Sequence, residues 1–260
     1  MDFNIYTTEM SKSVWDKAFF MDKIIGAKCV IDFGCADGAM IRFLAPLFPD
    51  ITFVGYDINE QLIKKARNSA PFYANCIFFE DNAFESISAV VRFVKDKFKS
   101  EEICVNFSSV LHEVFSSTGG LTVIQYLINA LEPQYITIRD MYCDEHIPFA
   151  SAAQYDQVWG PLSALRCSQF VNKFGKIKDW RDMMHLLMKL QWMDNGWEEE
   201  LNENYFSWTI EKFIDIIGSY ITIFDCRYQL PYLGEKWKKE YGWYLPDIHT
   251  HAQFILRRDN

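Results

Sequence analysis

Two hydrophobic periods alternate along the first half of the chain. Val14, Ala18, Met21 and Ile25 recur at helical spacing and predict a helix over residues 12–25. A short apolar run at 28–33 predicts a buried strand, and 39–47 a helix that stops before Pro49. The alternation continues with a strand at 51–56 and a helix at 60–68, for which Asn59 is the N-cap. Strands at 76–79, 102–107 and 135–138 then alternate with helices at 87–98 and 121–131. Strands separated by helices imply a parallel sheet covered on both faces. Ligands of such sheets sit beyond the carboxyl ends of the strands, where strand order reverses.

The second half reads differently. Residues 144–219 show no strand pattern but two amphipathic helices. One carries Ile177, Trp180, Met184 and Leu187; the other carries Phe206, Ile210, Phe213, Ile214 and Ile217. An acidic patch at 198–200 lies between them, and β-like runs follow at 220–228 and 253–258. We expect one domain over 1–260: an N-terminal lid and helix to 27, a ligand-binding core over 28–143, a helical cap inserted at 144–219, and a final pair of strands over 220–260.

Chemistry concentrates at the strand ends. The stretch Val30-Ile31-Asp32-Phe33-Gly34-Cys35-Ala36-Asp37-Gly38 follows a predicted strand and opens a helix. Glycine permits a tight turn there, and helix N-terminal amides face the ligand. The dinucleotide pattern G-x-G-x-x-G is absent. The carboxylate of Asp32 would repel a pyrophosphate but suits a ligand with a positive amino group. Asp57 ends the next strand, about 20 residues on, where a carboxylate can accept both hydroxyls of a ribose. Asp81, Asn82 and Ala83 follow the third strand, where an acid or amide can accept from an adenine amino group.

On these residues the stretch from about 28 to 140 resembles the class I S-adenosylmethionine (SAM)-dependent methyltransferases, with Ala36 in place of a common second glycine. The resemblance implies a doubly wound α/β fold with a seven-stranded, mostly parallel sheet and an antiparallel C-terminal hairpin. It implies SAM as the cofactor. Gly34, Cys35, Ala36 and Gly38 would line its methionine and ribose, Asp57 would hold the ribose, and Ile58 would lie against the adenine. Asp81, Asn82 and Ala83 would meet the adenine edge, while Phe107 and Ser108 of the Asn106–Glu113 stretch would pass beside the cofactor. Tyr6 and Met10 would fold over it.

For catalysis the candidates are His112, Glu113 and Asp140; for substrate, Arg139, Tyr155 and Trp159. Trp180, Trp192 and Trp208 could add to a pocket wall. His249 and His251 share a strand face, but no third ligand is legible and no metal is expected.

Composition narrows the acceptor. A net charge of −9 disfavours a broad nucleic-acid footprint, and aromatics at 17% suit a pocket for an organic molecule. Seven scattered cysteines without a Cys-x-x-Cys pair fit a reducing compartment. No apolar run approaches the roughly 18 residues of a membrane span. The expectation is therefore a cytoplasmic methyltransferase for a small organic molecule, compatible with a homodimer. The alternatives are an RNA or protein acceptor, or a non-catalytic SAM-binding partner subunit.

Overall fold

The computed structural model describes residues 13–69, 73–80, 84–192, 194, 196–242 and 246–259. Its centre is a seven-stranded sheet formed by β1 (Cys29–Phe33), β2 (Thr52–Asp57), β3 (Cys76–Glu80), β4 (Ile103–Ser108), β5 (Tyr135–Met141), β6 (Tyr220–Tyr228) and β7 (His251–Arg258). The order across the sheet is β3-β2-β1-β4-β5-β7-β6. The first five strands are parallel, and β7 runs antiparallel to both β5 and β6. Strand order therefore reverses between β1 and β4, which places a crevice at their carboxyl ends.

Both faces of the sheet are covered, so β1 and β4 are buried at every residue and read as continuous runs. One face packs α2 (Ala39–Leu44), α3 (Glu60–Ser69) and the turns that follow α1 (Val14–Lys17) against Val30, Phe53 and Cys104. The other packs α4 (Phe84–Lys95), α6 (Gly120–Leu131) and α11 (Ile210–Ile217) against Ile31, Val105, Phe107 and Ile138. A short helix, α5 (Leu111–Ser116), follows β4 directly.

A separate apolar cluster holds the cap. It joins α7 (Ala152–Trp159), α8 (Ala164–Phe174), α9 (Trp180–Lys189) and α10 (Trp197–Glu200) to α12 (Pro231–Tyr241). This arrangement corrects the sequence reading in three places. The expected cap ended at 219, yet Ile210, Phe213 and Ile217 pack on the sheet. The expected final hairpin is interrupted, because α12 lies between β6 and β7 and packs Leu233 and Trp237 into the cap. The helix expected over 12–25 is a single turn followed by further turns, and Ile25 is exposed. The N-cap at Asn59 is present: its Oδ1 accepts the N–H groups of Gln61 and Leu62 at 3.0 and 3.2 Å.

Close packing under the first crossover is strictest at Gly55. A Cβ there would lie 2.6 Å from Phe78 and 2.9 Å from both Cys35 and Ile41. Gly55→Ala should cost about 2 kcal/mol through overpacking. It should lower the melting temperature by roughly 4–8 °C, read by calorimetry.

Candidate active site

The loop after β1 is shaped by two strands at once. The N–H groups of Gly34 and Cys35 both donate to the Tyr56 carbonyl, at 2.8 and 3.0 Å. Gly34 has φ +77°, and a Cβ on it would sit 2.7 Å from Val110; at Gly38, φ is +72° and the nearest atom, on Phe78, is 2.6 Å away. Side chains are thus excluded by the protein's own packing. Ala36 also has positive φ, 49°, and its N–H donates to Asp57 Oδ2 at 2.8 Å. The Asn59 N–H donates to Asp57 Oδ1, also at 2.8 Å. A carboxylate accepts about four hydrogen bonds, so these two orient Asp57 and leave capacity for a ligand. Burial pushes its carboxyl above the usual range, while the backbone N–H bonds oppose the shift. Beside it Ile58 is 75% exposed.

A polar row crosses the three central strands. Asp32, Asn106 and Thr137 are neighbours in register on β1, β4 and β5, and all are buried. Thr137 Oγ1 donates to Asn106 Oδ1 at 2.9 Å, and Asn106 Nδ2 donates to Asp32 Oδ1 at 2.8 Å. Burial pushes the Asp32 carboxyl up to about 7; the Asn106 hydrogen bond and Lys17 pull it down, and Asp57 pushes it up. Lys17 itself is lowered to about 8 by burial and by Arg139. Two residues beyond Asn106, on the same strand face, the buried Ser108 Oγ has no hydrogen-bond partner among the described residues.

Adjacent residues on a strand point to opposite faces, which separates Arg139 from Asp140. Arg139 Nε donates to Asp16 Oδ2 at 2.6 Å, and Nη1 donates to Ser109 Oγ at 3.0 Å. Asp16 also accepts the Tyr228 hydroxyl at 2.7 Å and the Gln253 amide at 2.8 Å. On the other face Asp140 is fully buried. It accepts His112 Nδ1 at 2.8 Å and the backbone N–H groups of His112 and Met141 at 3.2 and 2.7 Å. With a carboxylate at Nδ1, that nitrogen carries the proton, which fixes the ring orientation. His112 Nε2 then faces Glu203 at 3.6 Å and Glu113 at 3.9 Å. Burial alone would lower the His112 pKa, but Asp140, Glu203 and Glu113 together raise it well above the ordinary value. Burial pushes the Glu113 carboxyl up to about 7.

A crevice at a strand-order reversal, with acids at the ends of β1 and β2, suits an adenosyl ligand with an amino-acid tail. A family described as "Methyltransferase domain" matches residues 26–203. The chain belongs to the class I SAM-dependent methyltransferases. No curated protein matches it. Among solved structures, "the methyltransferase domain of bacterial-CtHen1-C" is 12% identical over 96% of this chain and 98% of that one, with a TM-score of 0.50. The plantazolicin methyltransferase BamL, crystallised in complex with a triazolic desmethylPZN analog and SAH, is 14% identical over 97% of this chain and 91% of that one, with a TM-score of 0.47. N-methyltransferase NodS from Bradyrhizobium japonicum WM9 is 12% identical over the full length of both chains, with a TM-score of 0.45. At 12% identity the first of these likenesses speaks to fold alone.

In this methyltransferase the expected site residues meet different fates. Asp32, Asp57, Ile58, Ser108 and the Gly34–Gly38 loop gather at the ends of β1, β2 and β4. Asp81, Asn82, Ala83, Tyr6 and Met10 lie outside the described residues. Phe107, expected beside the cofactor, is fully buried and packs its ring against Phe33 and Phe213. The Cys35 side chain is likewise buried, close to Gly55, so only the backbone of that residue faces the loop. Arg139, expected at substrate, is taken up by Asp16 and Ser109. Tyr155 and Trp159 stack on one another at 5.5 Å in α7 and pack on the cap cluster, whereas Trp180 and Trp208 are core residues.

Sequence reading missed Asn106, Thr137, Asp16 and Glu203. The first two face each other in register in buried strands, and a buried polar residue there is the signal that could have found them. Asp16 and Glu203 are brought in from distant segments and carry no local pattern.

No helix among the described residues is long and apolar enough to cross a membrane. Because Arg139 is buried, removing its counter-charge should be expensive: Asp16→Asn should lower the stability measured by urea unfolding by roughly 3 kcal/mol.

Proposed function

We propose that this enzyme transfers the SAM methyl group to an oxygen or nitrogen of a small organic acceptor, beneath the cap formed by α7 to α10 and α12. SAM supplies an electrophilic methyl on a sulfonium centre. The observation that carries the cofactor side is the pairing of a buried, oriented acid at Asp32 with an unpartnered hydroxyl at Ser108 on the same sheet face. A buried polar atom without a partner costs free energy unless a ligand satisfies it.

The residues present fit the cofactor. Asp32 would take the ammonium group, with Asn106 and Thr137 holding the carboxylate in place. Asp57 would take the ribose hydroxyls with the acceptor capacity left by Ala36 and Asn59. Ile58 would cover one adenine face, an apolar contact that its exposure favours. Asp81, Asn82 and Ala83 would complete the adenine edge, and Tyr6 and Met10 the cover.

On the acceptor side, His112 and Glu113 stand at the start of α5, directly after β4, and Asp140 orients the imidazole from β5. These groups can align an acceptor and receive its proton, which is most of what methyl transfer requires of a protein. The aromatic cap and the net charge of −9 favour a small organic molecule over nucleic acid. The free cysteines favour a reducing, cytoplasmic location.

Two measurements check this reading. In calorimetry Asp57→Ala should bind SAM roughly 10- to 100-fold more weakly, from loss of charge-assisted hydrogen bonds; equal affinity would remove the ribose assignment.

The second uses pH. An ammonium group binds the ionised form of Asp32, whose carboxyl burial pushes up to about 7 against the opposing pull of Asn106 and Lys17. SAM affinity should therefore rise as pH increases from about 6 to about 7.5. Asp32→Asn should flatten that rise, and a slope unchanged in the variant would contradict the assignment.

A further inference from the structure

The ring of His112 is fixed by a hydrogen bond on one side and faces two carboxylates at ion-pair distance on the other. It is 3% exposed, its Nδ1 is fixed by Asp140, and its Nε2 points between Glu203 and Glu113 at 3.6 and 3.9 Å. Both distances exceed a hydrogen bond. The three donor atoms nevertheless lie within 4.8 Å of one another. Ligands about 2.0–2.2 Å from a common ion stand roughly 3.0–3.5 Å apart in tetrahedral or octahedral geometry. Small rotamer adjustments of two glutamates would close the remaining gap.

The surroundings are built to keep these groups together. The His112 carbonyl accepts hydroxyls from Ser116 and Ser207, at 2.7 and 3.2 Å. Ser116 Oγ also accepts the Asn204 N–H at 2.9 Å, which ties the segment carrying Glu203 to α5. Beneath that segment the buried Lys189 donates to the Glu200 carbonyl and lies 3.7 Å from the Tyr205 ring. The Tyr205 hydroxyl pairs with the Glu200 carboxylate. Sheet and cap each supply part of the cluster, and neither is free to drift.

We propose that His112, Glu113 and Glu203 form a binding site for one divalent transition cation, with Asp140 as the positioning residue behind the imidazole. One imidazole and two carboxylates suit Mn²⁺, Fe²⁺ or Zn²⁺ better than a soft ion. A carboxylate on the far nitrogen of a ligating histidine fixes its tautomer and strengthens it as a donor. Three protein ligands leave coordination positions open, as catalytic sites do. With the ion bound, His112 and Glu113 hold it in place of accepting the proton, and the open positions would receive an oxygen or nitrogen of the acceptor, a purpose that rests on the proposed function; cation binding itself does not. Among the described residues Asp144, Glu145 and His249 also converge, but Arg227 already pairs with Asp144.

The test is calorimetric titration of the chelator-stripped full chain with Mn²⁺ alone, no SAM present, supported by the paramagnetic resonance spectrum of the bound ion. Wild type should show one saturable site. Glu203→Gln and Glu113→Gln, at partly exposed side chains where folding is checked by circular dichroism, should each weaken binding at least about 10-fold, and Asp140→Asn roughly 10- to 100-fold. Glu145→Gln should bind as wild type does. No saturable binding of Mn²⁺ or Zn²⁺, unchanged affinity in Glu203→Gln, or loss in Glu145→Gln would each overturn the site. Titrating the same metal-free protein with SAM reads the cofactor assignment separately.

Discussion

A chain of three buried side chains sets the geometry of this enzyme. Thr137 donates to Asn106 and Asn106 to Asp32, across neighbouring strands in register. Parallel strands β1, β4 and β5 could slide as apolar rods, but a buried amide misaligned by one residue would lose both partners at a cost of about 1–3 kcal/mol for each unsatisfied group. The row thus pins the register of the central sheet. It also decides which way the Asp32 carboxylate faces. The same bonds that align the strands hold an acid at the crevice that strand order creates.

Around this row the sheet divides its polar chemistry by face. Arg139 goes to one side, where Asp16, Tyr228 and Gln253 bind the N-terminal helix to the antiparallel strands. Asp140, the next residue, goes to the other side and orients His112. The cluster at His112 joins the sheet to the cap, since Glu203 arrives from the segment between α10 and α11. In the proposed account the cofactor lies toward Asp32 and Asp57, and the acceptor toward His112.

Much of the sheet was legible from periodicity because burial on both faces writes each parallel strand as an apolar run. The strand-end acids Asp32 and Asp57 were legible too, since carboxylates are rare where such runs stop. The helix between β6 and β7 was not: among its described residues Leu233 and Trp237 alone are fully buried, between many polar ones. Nor could spacing tell that the apolar face of Phe213 and Ile217 packs on the sheet instead of the cap. Phe107 sits in a motif beside the ligand crevice, yet strand alternation turns it into the core while Asn106 and Ser108 face the other way. The pairing of Arg139 was not legible because its partner, Asp16, lies more than a hundred residues away.

The central claim is that Asp32 and Asp57 hold the two ends of one adenosyl amino-acid cofactor. A crystal structure with S-adenosylhomocysteine tests it most directly. The account predicts the ribose hydroxyls on the Asp57 carboxylate and the amino group within hydrogen-bonding distance of Asp32. A ligand seated elsewhere, or with its carboxylate turned toward Asp32, would contradict it.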